Sequence, residues 1–160
     1  SNWQIIGPFK VSKGFHEKFW PEKKRIEEVL DQWEEDEWVD KTDNLTDGYI
    51  DLRKITGSEF NTASYAILPI NVPSSREVQL RFGSRGPIKV WLNDEPVLVK
   101  NMYAVTTLDS YIVNARLREG TNYLLIKIIN IAGENGFYFR LTDEEGYGFY
   151  DISFGEWLET

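Results

Sequence analysis

From residue 48 onward, apolar and polar side chains alternate through most of the chain. Val78, Leu80 and Phe82 are separated by Gln79 and Arg81, and Ile88, Val90 and Leu92 by Lys89 and Trp91. Phe137, Phe139 and Leu141 alternate in the same way with Tyr138 and Arg140. A strand sends successive side chains to opposite faces, so a period of two predicts strands with one face in a core and one outside it. Tyr49-Ile50-Asp51-Leu52, Ala63 to Leu68, Val97-Leu98-Val99 and Tyr111 to Leu117 extend the pattern. From Tyr123 to Ile129, Leu124, Ile126 and Ile128 share one face, and Leu125 and Lys127 share the other. Trp3 to Phe9 reads as a further short strand, closed by a Gly7-Pro8 turn.

Turn chemistry falls between these segments. Asn93-Asp94 suits a tight hairpin, because both residues tolerate a left-handed backbone. Arg118 to Asn122 marks another turn. One stretch changes period: between Glu22 and Trp33, Ile26, Val29, Leu30 and Trp33 fall on one helical face, behind a first-turn Pro21. The competing reading of this stretch is an irregular excursion with one or two helical turns. A parallel α/β sheet needs repeated crossover helices, and one candidate does not supply them. The pattern therefore predicts an all-β fold of two packed antiparallel sheets, a single domain over residues 1–160. One short N-terminal helix lies in a loop excursion spanning 10–47.

Composition narrows the function. At 160 residues the chain can bury about 68–70% of its unfolded surface, which needs no staple. The 18 basic and 26 acidic residues leave a net charge of −8, which repels nucleic acid and gives no attraction to anionic membrane. With no cysteine, thiolate catalysis and disulfides are absent. His16 is the single histidine, so the usual zinc sites cannot be filled, and no Gly-x-Ser-x-Gly turn presents a serine to it. It reads as an ordinary loop histidine. No phosphate loop or dinucleotide fingerprint occurs. Acid pairs arise by chance among 26 carboxylates, and their spacing in sequence does not set their separation in space. The expectation is a chain that is not an enzyme and carries no cofactor. Calcium is the one structural ion the chain offers oxygens for, at Asp40 to Asn44 and at Asp143-Glu144-Glu145-Gly146, although neither run follows the twelve-residue loop.

Several segments together carry a family resemblance. They are Trp3-x-Ile5-x-Gly7-Pro8-Phe9, Gly48-Tyr49-Ile50-Asp51-Leu52, Ala63-x-Tyr65-Ala66, Leu80-Arg81-Phe82-Gly83-Ser84, Val90-Trp91-Leu92-Asn93-Asp94, Leu117-x-Glu119-Gly120-x-Asn122-x-Leu124-Leu125-x-Lys127 and Gly136 to Leu141. In order and spacing this set resembles the galactose-binding-domain-like jelly rolls, the non-catalytic sugar-binding domains attached to many glycoside hydrolases. It runs from Trp3 to about Leu141 and is weakest over 10–47. One departure is Asp94, where that family usually has glycine. The resemblance implies a jelly-roll β-sandwich, which is a fold with many jobs. It also implies a carbohydrate-binding accessory domain of a larger extracellular or periplasmic glycan-processing protein. The alternative is a sandwich that packs against a neighbouring domain and binds no free glycan.

A neutral sugar is gripped by aromatic faces against its C–H surface and by polar side chains at its hydroxyls. Aromatics make up 14% of the chain, more than a core of this size requires. The excursion carries Trp20, Trp33 and Trp38 among Glu22, Gln32, Asp36, Asp40 and Asn44. Trp33 completes the helix face and belongs to a core. Trp20 serves either as a lid over the sandwich edge or as a binding ring, and Trp38 either starts an alternating strand or binds. Trp91 shares an outer face with Lys89, where it covers a loop or meets a ligand. Arg81, Lys127, Tyr138 and Arg140 also fall on non-core faces and either join Trp91 in a charged patch or keep the sheets soluble. The ligand-binding candidates are Trp20, Trp38, Trp91, Arg81, Tyr138 and Arg140.

Overall fold

The alternating segments form strands, and every strand pair among the described residues is antiparallel. The computed structural model describes residues 3–32, 38–39, 49–103, 109–131 and 133–155. The strands are β1 (Gln4–Lys10), β2 (Trp38–Val39), β3 (Tyr49–Asp51), β4 (Thr62–Val72), β5 (Arg76–Gly83), β6 (Ile88–Leu92), β7 (Glu95–Lys100), β8 (Tyr111–Leu117), β9 (Gly120–Asn130), β10 (Gly136–Thr142) and β11 (Ser153–Phe154). The larger sheet runs β2-β1-β4-β9-β6-β7, with β11 continuing the β4 edge where β1 ends. The smaller sheet runs β3-β10-β5-β8. The protein is an all-β, two-sheet antiparallel sandwich.

The core between the sheets is built from the residues the period of two assigns to it. Val78, Leu80 and Phe82 of β5, beside Phe137 of β10, face Val90, Leu124 and Ile126 of the larger sheet, all essentially inaccessible to water. Trp3 meets the rings of Phe137 and Phe139 edge-on, with centroids 5.1 and 5.7 Å away. Asn93 and Asp94 turn the β6–β7 hairpin at φ +48° and +72°, the left-handed pair that matches strand twist.

Three local readings change. Gly7-Pro8 does not close β1 but forms a bulge inside it, with pairing to β4 resuming at Phe9 and Lys10. Gly7 sits at φ +136°, and a Cβ there would press on the Ala63 carbonyl oxygen at 3.0 Å. The helix predicted from Glu22 starts later. Trp20–Glu22, containing Pro21, is a separate 3-10 turn, and α1 spans only Ile26–Asp31. Trp33, Asp36, Asp40 and Asn44 lie outside the described residues. A second short helix, α2 (Arg53–Thr56), follows β3.

The outer face of the larger sheet is covered as well. Residues 11–32 run across it as a strap, and Ile26 and Val29 of α1 pack on Ile6, Tyr65, Ile67 and Leu125. Phe15 packs on Ala63 and Ile129. Two covered faces turn β4 and β9 into nearly continuous buried runs, which alternation alone does not foretell.

A buried lysine ties the strap down. The Lys127 Nζ donates to the carbonyls of Phe15 (2.9 Å) and Glu17 (2.7 Å) and pairs with Glu22 Oε2 at 2.9 Å. Those are three acceptors for three ammonium protons. Both charged side chains are almost fully buried, at 1% and 3% exposure. Burial pulls the Lys127 ammonium below the usual lysine range, opposed by its bond to Glu22. The Tyr65 hydroxyl donates to the same Glu22 Oε2 at 2.7 Å, and burial followed by that bond pushes its phenol well above the ordinary range. At the far end of the strap, Asp94 Oδ1 accepts the Ile26 N–H at 2.6 Å, closing the first turn of α1 from the hairpin. Glycine at position 94 would relax the turn but remove this anchor.

Lys127→Met is expected to cost about 3–5 kcal/mol in urea unfolding, because Glu22 stays buried without its cation. Adding Glu22→Leu should restore part of that loss. A cost under about 1 kcal/mol for Lys127→Met would mean that the pair does not hold the strap. Asp94→Gly should speed hydrogen exchange at the Ile26 amide and leave the amides of β4 and β9 unchanged.

Candidate functional site

The smaller sheet keeps its outer face toward solvent, and the register of its strands decides which side chains meet there. Tyr49 of β3 lies opposite Tyr138 of β10, and Asp51 lies opposite Gly136. Arg140 pairs with Arg81 of β5, and Thr142 with Gln79. Ile50, Phe137 and Leu141 point the other way, into the core. Tyr49, Arg53, Glu134 and Tyr138 line a groove of about 360 Å³ at the β3 edge.

Backbone and side chain cooperate in shaping this groove. The Tyr49 and Tyr138 rings lie 4.9 Å apart, tilted at 57°. Gly136 makes room for them, since a Cβ there would collide with the Tyr49 hydroxyl and the Ile50 carbonyl. Arg53, at the start of α2, forks onto Asp51 with Nε–Oδ1 at 3.0 Å and Nη2–Oδ2 at 2.8 Å. That fork holds the Asp51 carboxyl below the usual carboxylate range. Arg85 bridges Glu134 (3.5 Å) and the Tyr103 hydroxyl (2.7 Å), and its guanidinium sits 4.9 Å over the Tyr103 ring. Burial, then the Asp51 and Glu134 carboxylates, pushes the Tyr49 phenol up to about 12. The groove therefore offers two phenol hydroxyls, that of Tyr49 held protonated, with a guanidinium and a carboxylate beside the two rings.

The sequence candidates are divided among several places. Tyr138 lines the groove. Arg81 and Arg140 lie one row further along the same face, where Asp109 joins them, with Oδ2 at 3.3 Å from Arg81 Nη1 and 2.8 Å from Arg140 Nη2. Arg81 also donates to Thr142 Oγ1 (2.9 Å) and Gln79 Oε1 (2.6 Å). Arg140 first, then Arg81, keeps the Asp109 carboxyl low. Trp91 and Lys127 belong to the other sheet, so no single patch unites them with the arginines. Trp91 is half-buried beneath the strap, with Lys89 Nζ 4.8 Å from its ring. Trp20 is half-buried in the strap and covers the outer face of the larger sheet rather than a sandwich edge. Trp38 pairs with Ile6 as part of β2, and its side chain lies outside the described residues. Glu22, read as a polar group of a binding loop, is instead buried against Lys127.

His16 is exposed on its loop, with its ring 5.0 Å from Phe15. Among the described residues, no three His, Asp or Glu side chains cluster as a metal set. Asp40 to Asn44 lie outside the described residues. In the second acidic run, Asp143 Oδ1 accepts the N–H groups of Glu145 and Tyr147, bracing its own turn.

Tyr49, Arg53 and Glu134 were not among the sequence candidates. Tyr49 carries a signal, because it flanks the core residue Ile50 and so must face outward. Arg53 and Glu134 carry none, since only the pairing of β3 with β10 brings α2 beside the turn before Gly136.

No family model matches the chain, and no curated protein matches it. Among solved structures, a selenomethionine-labelled β-glucosidase from Kluyveromyces marxianus is similar, with a TM-score of 0.49 and 11% identity. The similarity covers 89% of this chain and 16% of the β-glucosidase chain.

The raised Tyr49 phenol sets a pH window. Its contribution to stability is fully present below the ordinary value of 10.0 and is lost as pH climbs through about 12. Ultraviolet titration of the wild type minus Tyr49→Phe should isolate one tyrosine ionising near pH 12. A difference step at the ordinary tyrosine value would contradict the burial of this phenol.

Proposed function

We propose that this chain is a non-catalytic carbohydrate-binding accessory domain, of the galactose-binding-like jelly-roll kind, in an extracellular or periplasmic glycan-processing protein. The observation that carries the proposal is the groove in which Tyr49 and Tyr138 stand beside Arg53 and Glu134 on the open face of the smaller sheet. Tilted rings accept the C–H face of a pyranose, while guanidinium and carboxylate groups bond its hydroxyls in both donor and acceptor senses. At about 360 Å³ the groove falls at the small end of ligand sites, roughly 300–1,000 Å³, which suits one or two sugar rings. Among the described residues lining it, Glu134 is the one carboxylate. Hydrolysis by paired acids needs a second one across the bond, so binding is the favoured role.

A second reading, a domain that packs on a neighbour, draws on a different surface. Tyr147 and Tyr150 are 68% and 101% exposed on the segment before β11, and exposed rings of this kind commonly mark an interface.

Screening against neutral plant, algal and host polysaccharides tests the binding reading. Tyr138→Ala should weaken the retained glycan about tenfold, the equivalent of ~1.4 kcal/mol of lost ring contact, while Tyr138→Phe should retain most of the affinity. Failure of the wild-type chain to retain any neutral glycan, or equal retention by Tyr138→Ala, would sink the proposal.

A further inference from the structure

We propose a second site, for a sugar ring bearing a carboxylate or sulfate, in the hollow where the strap crosses the β6–β9 side of the larger sheet. The hollow encloses about 230 Å³. That is far more than the ~10–15 Å³ that one water requires, and it is below the range of drug-sized sites, so it fits a single ring.

Its floor follows from strand register. Trp91 of β6 and Leu125 of β9 are paired residues, and Tyr123 lies two positions along β9 on the same face. The floor is therefore two aromatic rings and one aliphatic side chain, a surface suited to the C–H face of a pyranose. The opposite wall is the run Lys23-Lys24-Arg25, delivered between the 3-10 turn and α1. Lys89, outside the lining, holds its Nζ 4.8 Å from the Trp91 ring.

The charge at this hollow is the reverse of the charge of the chain. The whole protein carries −8, yet Lys23, Lys24 and Arg25 all line this hollow. Of the acids that line the hollow, Glu22 is matched by the buried Lys127. Asp94 accepts the Ile26 N–H through Oδ1, and its Oδ2 lies 3.8 Å from Arg25 Nε. With Glu22 matched by Lys127, one carboxylate, Asp94, faces three cations. A concave site with an excess of one sign of charge over low-dielectric walls concentrates the opposite ion. An aromatic floor selects a ring to carry that ion, in preference to a bare inorganic anion.

This site shares no residue with the Tyr49–Tyr138 groove, so the two fail independently. The test titrates the intact chain by calorimetry at low salt with an oligogalacturonate, a sulfated oligosaccharide, a matched neutral oligosaccharide and sodium sulfate alone. Either anionic oligosaccharide should bind, more weakly as salt rises, and the stronger of the two identifies the acid group. The paired change Lys24→Gln with Arg25→Gln should weaken that binding about tenfold or more, by removing charge-assisted bonds. Trp91→Ala should weaken it as well, while Tyr138→Ala should leave it unchanged. The hollow is not such a site if neither anionic oligosaccharide binds. The same holds if, in the Tyr138→Ala variant whose other groove is disabled, neutral sugar or sulfate alone binds as well as the anionic oligosaccharides, or if the Lys24/Arg25 variant binds them like wild type.

Discussion

The ammonium of Lys127 lies inside the protein, and each of its protons has an acceptor in the Phe15 carbonyl, the Glu17 carbonyl or the Glu22 carboxylate. A charge in such a place is tolerated only when it is fully bonded, because leaving one partner out costs several kcal/mol. The three acceptors all come from the strap, whereas the lysine stands on β9 in the middle of the larger sheet. The rings of Phe15, Phe19 and Tyr65 enclose the ammonium at 5.6 to 6.0 Å. The bond is therefore specific in a way that hydrophobic contact is not: it requires residues 15–22 to follow one path.

The rest of the architecture depends on that path. With the strap in place, the larger sheet is covered on both faces and its outer rings become half-buried packing groups. The strap also carries Lys23, Lys24 and Arg25 over Trp91, which creates the hollow at its edge. Among the described residues the smaller sheet has no such strap, and Tyr49, Tyr138, Arg81 and Arg140 stand on its outer face. One sheet is covered on its outer face by the strap, and the other presents its outer side chains among the described residues. Asp94 extends the same logic. It sits at positive φ and caps α1, so the strap is tied to the sheet at two places, to β9 through Lys127 and to the hairpin through Asp94.

Electrostatics on the open face is organised by short-range pairing. Arg53 is committed to Asp51, and Arg81 and Arg140 share Asp109. Such pairs, partly exposed, add little to stability, but they orient guanidinium groups that would otherwise sample many rotamers. Orientation of this kind lowers the entropy lost when a ligand is gripped.

Side-chain alternation by itself determined most of the strands, the core between the sheets and the hairpin at Asn93-Asp94, because a period of two and a left-handed turn are local properties of the backbone. It also placed Tyr138, Arg81 and Arg140 outside the core. Tertiary structure alone decided that the face of Leu125 and Lys127 is covered, since nothing local to β9 announces a strap arriving from more than a hundred residues away. It likewise decided that Glu22 is structural and that Arg53 and Glu134 meet Tyr138. Those outcomes depend on which strands become neighbours, and neighbour choice is settled by summed packing across the whole sandwich rather than by any segment of it.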